Sequence, residues 1–210
     1  MTALTKLLSL IAASLLAFVI SQTSLAQQAP DQLIERLTTE LYTLIDDNRE
    51  LYSQDIDALK AEVDQRMRQH IDTTYSARLV LGRHGRGLEQ EQIAAFADAL
   101  GTTLMNQYAQ RLLDFDSQNT VDVMPLEPNQ DPRRTRVRTR LQLDNGSVMP
   151  IDYVLRLREG NWLVFDVIAE GISYVATFRN QIGEQISRQG FDATLQGLQD
   201  GEMVLSAEGS

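Results

Sequence analysis

The feature that most constrains the fold is a change of hydrophobic period near the middle of the chain. Up to Asp114 apolar residues recur at helical spacing, and after Asn119 they alternate. The first spacing lays apolar side chains along one stripe of a helix, the second along one face of a strand. Helices followed in a block by strands predict an α+β domain with a curved antiparallel sheet packed against several helices.

The alternation is strictest from Arg134 to Leu143, with Arg134, Arg136, Arg138, Arg140 and Gln142 on one face. Val137, Thr139, Leu141 and Leu143 take the other. Thr120 to Met124 reads as a short strand before it. Strands over Val148 to Arg158 and Trp162 to Ile168 follow, separated by the turns D-N-G-S and E-G-N. A two-residue Asn145-Gly146 loop would set Arg138 opposite Tyr153 and mix charge with the apolar face. A three-residue loop with Gly146 left-handed sets Val137 opposite Tyr153, Leu141 opposite Met149 and Asp152 opposite Arg138. The three-residue loop is the expectation.

Upstream, Pro30 suits a first helical position before Leu33, Leu37, Leu41, Leu44 and Ile45. Ile56, Leu59, Val63, Met67 and Ile71 form a second stripe. Asp72 can cap a helix from Thr73 to His84 that ends in the Gly-rich stretch Gly82 to Gly87. A long helix is expected from about Glu89 to Asp114, with Ile93, Phe96, Ala97, Leu100, Leu104, Tyr108 and Leu112 inward. A last long helix is expected from Ile172 through Val175, Phe178, Ile182 and Ile186 to Gly190. A short helix with Leu195 and Leu198 and a polar tail from about Ser206 complete the chain.

The first residues read as an address. Lys6 precedes an apolar run from Leu7 to Ile20, too short for the about 20 residues a spanning helix needs. The S-L-A pattern ending at Ala26 predicts a cleaved signal peptide at 1–26 and a single mature domain at 27–210. Cysteine is absent, which excludes disulfides, thiolate metal sites, cysteine nucleophiles and a lipid-modified cysteine. The mature chain is therefore expected in the periplasm without a lipid anchor. Without Lys6 the charge is 18 basic against 29 acidic side chains, a net of −11 with His neutral. General attraction to nucleic acid or to anionic membranes is excluded.

Catalytic signals are thin. No phosphate-binding glycine loop and no nucleophile elbow occurs, and His70 and His84 are about four helical turns apart, too far to share a metal from one helix. Asp166 and Glu170 form a carboxylate pair near the last strand, read here as acceptors for arginines or for helix N-terminal amides near Ser173. The arginines at 133, 134, 136, 138, 140, 156 and 158 collect on one sheet face. They read either as a solvated face partly neutralised by Asp152 or as a docking surface for an acidic partner or lipid phosphate. Apolar stripes on the long helix, the central hairpin and the last long helix exceed what chemistry in the chain requires. Periodicity alone does not distinguish a filled core from a hollow one.

Several segments carry a resemblance. Y-S-A-R-L-V-L-G-R (Tyr75 to Arg83) precedes Q-I-A-A-F-A-D-A-L (Gln92 to Leu100) and Tyr108-Ala109. V-R-T (Val137 to Thr139), I-D-Y-V-L-R (Ile151 to Arg156) and N-W-L-V-F-D-V-I-A-E-G-I-S (Asn161 to Ser173) follow in order. This succession resembles the periplasmic phospholipid-binding MlaC family, also called the toluene-tolerance ABC-transport accessory family, over roughly Leu33 to Leu198. The resemblance implies a soluble, non-enzymatic carrier without a cofactor, its cargo one phospholipid whose tails lie in a deep apolar pocket. It implies two membrane-bound partners, an outer-membrane lipoprotein–porin complex and the substrate-binding ring of an inner-membrane ABC transporter. Such a shuttle maintains outer-membrane lipid asymmetry.

The expected pocket walls are Phe96, Leu100, Leu104, Tyr108, Val137, Leu141, Tyr153, Leu155, Ile172, Val175, Phe178 and Ile182, with the hydroxyls of Tyr108 and Tyr153 near a polar mouth. Arg134, Arg136, Arg138 and Arg156, with Gly171 and Ser173 at the strand-to-helix step, are expected at a partner-docking rim. The chain departs from the family pattern at Gly85 and Leu88, so the Gly82 to Leu88 loop is expected to be more mobile. Two other classes stand beside the carrier: a cone-shaped enzyme using Asp166, Tyr153 or Glu170 on an apolar substrate, and a lipoprotein chaperone.

Overall fold

The central hairpin sets the architecture, because its register decides which side chains face inward. In the computed structural model, which describes residues 28–114, 121–128, 130–143 and 146–206, β2 (Arg134–Gln142) pairs antiparallel with β3 (Val148–Arg158). Val137 lies opposite Tyr153, Leu141 opposite Met149, and Arg138 opposite Asp152. Gly146 has a φ of +78° and donates its amide to Leu143. The three-residue loop is what the register requires, although Asp144 and Asn145 lie outside the described residues.

The sheet is completed by β1 (Val121–Val123) beside β2, and by β4 (Asn161–Ala169) and β5 (Ile172–Ser173) beyond β3. Neighbours are antiparallel throughout, in the order β1-β2-β3-β4-β5, and the sheet is open. Val154 faces Asp166 while Leu155 faces Val164, leaving Phe165 as an extra residue in β4. A bulge of this kind bends its strand and increases the local twist, which supplies the curvature.

Helices precede and follow the sheet: α1 (Pro30–Asp47), α2 (Arg49–Gln54), α3 (Ile56–Met67), α4 (Thr73–Leu81), α5 (Gln90–Leu112), α6 (Tyr174–Gln189) and α7 (Phe191–Gln199). Pro30 opens α1, Asp72 caps α4 by accepting the Tyr75 amide at 3.0 Å, and Glu89 with Gln92 forms a reciprocal cap on α5. With β1 to β5, these elements make an α+β fold.

Three boundaries differ from the sequence expectations. The stripe ending in Ile71 stops at Met67, and Ile71 instead bridges Val164 in parallel while the Asp72 amide donates to the Val164 carbonyl at 2.8 Å. The free edge of β4 captures those groups, and pairing there outweighs one more helical turn. The helix expected to reach His84 stops at Leu81, because Gly82 takes a φ of +52°, and a 3₁₀ turn follows over Gly82–Gly85. The helix expected from Ile172 begins at Tyr174. Glu170 and Gly171, at φ +49° and +85°, reverse the chain so that Ile172 and Ser173 pair back onto β4.

Bulge and helix are joined through α4. The Ser76 hydroxyl donates to the Phe165 carbonyl at 2.7 Å, so the extra residue's acceptor is satisfied. Tyr75 meets the Phe165 ring edge-on at 5.1 Å, Arg156 lies 4.0 Å over Tyr75, and Arg134 lies 4.9 Å over Phe165. Arg156 Nε stands 2.9 Å from Asp72 Oδ2, an ion pair by proximity without aligned hydrogen-bond geometry. The segment 1–26, expected to be a leader, and the expected polar tail beyond Ser206 lie outside the described residues. Among those described, no helix is long and apolar enough to cross a membrane.

Candidate functional site

Burial along the apolar face of the sheet is uneven. At one end Val137, Leu155 and Val164 are buried under Leu33, Ile34 and Leu37 of α1. Farther along the same face, by register, Tyr153, Ile151, Val167 and Ala169 keep accessible surface. The second half of α1 does not cover them fully. Its Leu44 and Ile45 turn to a separate cluster with Tyr52, Leu59 and Val63, on which Leu41, Met105 and Leu112 also pack.

A third cluster joins α4, α5, α6 and α7 around Phe96, Leu100, Phe178 and Ile182, with Leu104, Tyr174 and Val175 partly buried against it. The expected wall residues therefore fall into two groups. Phe96, Leu100, Leu104, Val175, Phe178 and Ile182 lie together among the helices, whereas Val137, Tyr153 and Leu155 lie together under α1. Leu141 is buried on β2. Ile172 is 37% exposed on the edge strand β5. A single filled core usually gives one contiguous cluster. Here sheet and helices each close on themselves.

Tyr153 combines depth with residual surface. Burial pushes its hydroxyl above the usual tyrosine range, opposed in part by a hydrogen bond with Thr38, yet the residue is not fully covered. Its neighbour Tyr42 on α1 is pushed up to about 12 by burial and by Tyr153. Sequence reasoning missed Tyr42, Ile151 and Val167. The last two already shared the inward face in the alternating pattern. The hydroxyls expected near a mouth are both engaged: that of Tyr153 with Thr38, and that of Tyr108 by donating to the Leu205 carbonyl at 3.3 Å.

Because folded Tyr42 holds its proton to about 12 and the unfolded chain releases it near 10.0, its contribution to stability is complete below pH 10. That contribution is lost as pH rises from 10 towards 12. Absorbance titration of the tyrosinates at 295 nm is expected to show several late-titrating hydroxyls, one of which Tyr42→Phe removes, together with a flatter alkaline unfolding curve.

The carboxylates and arginines are largely engaged. Asp166 accepts the Ser173 hydroxyl at 2.7 Å and the Val175 amide at 3.0 Å, so it caps α6, while Ser173 also accepts the Ala176 amide at 3.0 Å. Gly171, its neighbour in the expected rim, is exposed in the turn. Arg136 pairs with Asp152, Arg138 with Glu127 at 2.6 Å, and Arg156 with Asp72. Arg140 stands directly across from Asp122 in the register, and Arg134 rests on Phe165. The row is thus an arginine face threaded with acids.

Two surface concavities lie away from the expected walls. One, of about 400 Å³, sits by Leu33, Arg36, His70, Arg158 and Trp162, where burial and then Arg36 hold the His70 pKa below its usual value. The other, about 820 Å³ and open, follows Asp46 to Leu51 and Gln54. Among the described residues no group of His, Asp or Glu could hold a metal ion.

Known proteins resemble this chain in sequence and in fold. The sequence profile of the family described as MlaC protein matches residues 35–200. The chain is 29% identical over 170 residues to the toluene tolerance protein ttg2D of Pseudomonas putida, covering 80% of this chain and 78% of that protein. It is 26% identical over 190 residues to the intermembrane phospholipid transport system binding protein MlaC of Haemophilus influenzae, covering 88% and 87% respectively. A phospholipid-binding protein from Ralstonia solanacearum, solved with a phospholipid at 1.53 Å, has the same fold. The TM-score is 0.76 at 21% identity, over 83% of this chain and 97% of that one. With four-fifths of its length matched in sequence and its fold matched in space, the chain belongs to the MlaC family.

Proposed function

We propose that this protein is a periplasmic phospholipid carrier, without catalytic activity, that encloses the acyl tails of its cargo between the apolar face of β2–β4 and helices α1, α5 and α6. The observation that carries this reading is Tyr153, deep in the fold and still partly accessible, beside Ile151, Val167 and Ala169 on one incompletely covered face. Apolar side chains left partly uncovered on one inward face suit alkyl chains better than water. The relatives' names and the lipid bound by the protein of the same fold agree with this cargo.

The energetics set what the space must do. Exposing two tails of about 16 methylenes each, at about 0.8 kcal/mol per methylene, costs on the order of 25 kcal/mol. Dry apolar walls offset most of that without making release impossible, and they discriminate little between head groups. Direction then comes from the partners, an outer-membrane lipoprotein–porin complex on one side and the ring of an inner-membrane ABC transporter on the other. The engagement of Asp166 as a helix cap supports the non-enzymatic reading, since a capped carboxylate has both oxygens committed. Contact with the partners through Arg134, Arg136, Arg138 and Arg156 and the turn at Gly171–Ser173 is part of the proposal, as is export through the leader at 1–26.

Organic extraction of the purified mature protein, followed by mass spectrometry, is expected to give about one phospholipid per chain. Extracts without glycerolipid from protein that is folded and monodisperse would overturn the carrier reading.

A further inference from the structure

The backbones of α5 and α6 each run close to α4 and α7 rather than to each other, and the two helices meet through side chains of one shared cluster. Beyond that cluster, the extended segment after α7 hydrogen-bonds to both helices. Gly201, at φ +70°, turns the chain back along α5. Gln107 of α5 then donates to the Met203 carbonyl and accepts the Leu205 amide, both at 3.2 Å. Gln181 of α6 donates to the Ser206 carbonyl at 2.6 Å and accepts the Ser206 amide at 3.1 Å. Two side-chain amides thus read the main chain of one short peptide from opposite sides.

The side chains of that peptide alternate as in a strand. Leu205 is 2% exposed and joins the helical cluster, Met203 packs beside it, and Val204 points away at 80% exposure. Tyr108 adds a bond to the Leu205 carbonyl from the same turn of α5 as Gln107, one turn beyond Leu104. The grip falls on the half of α5 that carries Leu104 and Tyr108, two of the expected wall residues. Met203 donates its amide to the Gly197 carbonyl at 3.2 Å, and beyond it no strand pairs with the segment among the described residues, which leaves it among the parts of the fold that open at low cost.

We propose that Met203–Ser206 is a latch: it clamps α5 to α6 over the lipid tails, and its release parts the wall through which the lipid exchanges. This rests on the carrier reading. The test uses the full mature chain loaded with a fluorescent phospholipid and mixed with acceptor vesicles of phosphatidylethanolamine and phosphatidylglycerol. Gln107→Ala with Gln181→Ala is expected to speed transfer roughly tenfold at unchanged lipid content. Cysteines at 181 and 206, joined by a short bis-maleimide, are expected to slow it by a similar factor relative to the unjoined pair. Equal rates with and without the cross-link, at one lipid per chain, overturn the latch even if the alanine variant fails to fold. Absence of lipid from the unmodified protein overturns the carrier reading and the latch with it.

Discussion

Leu104→Asp is expected to yield a folded protein that purifies with less than about a tenth of the normal lipid, whereas Leu100→Asp, one turn earlier, is expected not to fold. The two leucines occupy the same helix and the same cluster, but Leu100 is 6% exposed and Leu104 keeps accessible surface. At Leu100 the substitution removes a packed side chain, worth about 2–5 kcal/mol, and leaves a buried unpaired charge that costs several more. A domain stable by about 5–15 kcal/mol does not tolerate that sum. At Leu104 the carboxylate can stay solvated in the empty protein, so the cost falls on the tails that must displace its water. About 1.4 kcal/mol is already a tenfold loss of occupancy. Circular dichroism melting with phosphorus assay of the extracts separates the cases. Equal melting losses for the two variants, or lipid retained by Leu104→Asp, would mean that the stripe is ordinary core.

The second large effect lies at the junction of α4 with the bulged strand. Asp72→Ala is expected to destabilise the domain by about 3 kcal/mol, measured by urea unfolding. It removes the cap of α4, typically about 1 kcal/mol. It also leaves Arg156, partly buried over Tyr75, without its carboxylate. Asp72→Asn keeps a capping oxygen and is expected to lose less. Adding Arg156→Met to Asp72→Asn is expected to recover part of that loss, because the stranded charge disappears with its partner. A loss under about 1 kcal/mol for Asp72→Ala would show that the stack of Arg156, Tyr75 and Phe165 stands without the ion pair.

How much of this was legible beforehand depends on which residues carried it. The β2–β3 register followed from one choice, that Val137 and not Arg138 should face Tyr153, since a slip of one residue exchanges the two faces. Asp72, Pro30 and Glu89 announced their helices through local chemistry that the three-dimensional context left intact. Ile71 did not, because its fate was decided by the free edge of β4, more than ninety residues downstream. The site was legible only in part. Leu104, Val175 and Tyr153 were identifiable as apolar and inward, but periodicity is the same for a side chain packed solid and for one facing a hollow. The clustering under α1 and among the helices reflects how α1 divides its side chains, Leu33, Ile34 and Leu37 packing on the sheet and Leu44 and Ile45 in a separate cluster. The latch was invisible for a related reason: Gln107 and Gln181 are ordinary surface glutamines until the chain end returns to meet them.

The most direct test is a crystal structure of the mature protein loaded with a phospholipid brominated along both acyl chains, read by anomalous scattering. Bromine sites are expected between the Tyr153–Val167 face of the sheet, Tyr42 of α1 and Leu104 of α5. Bromine confined to the concavity beside Trp162, or an interior closed by the protein's own side chains with no bromine in it, would contradict the hollow.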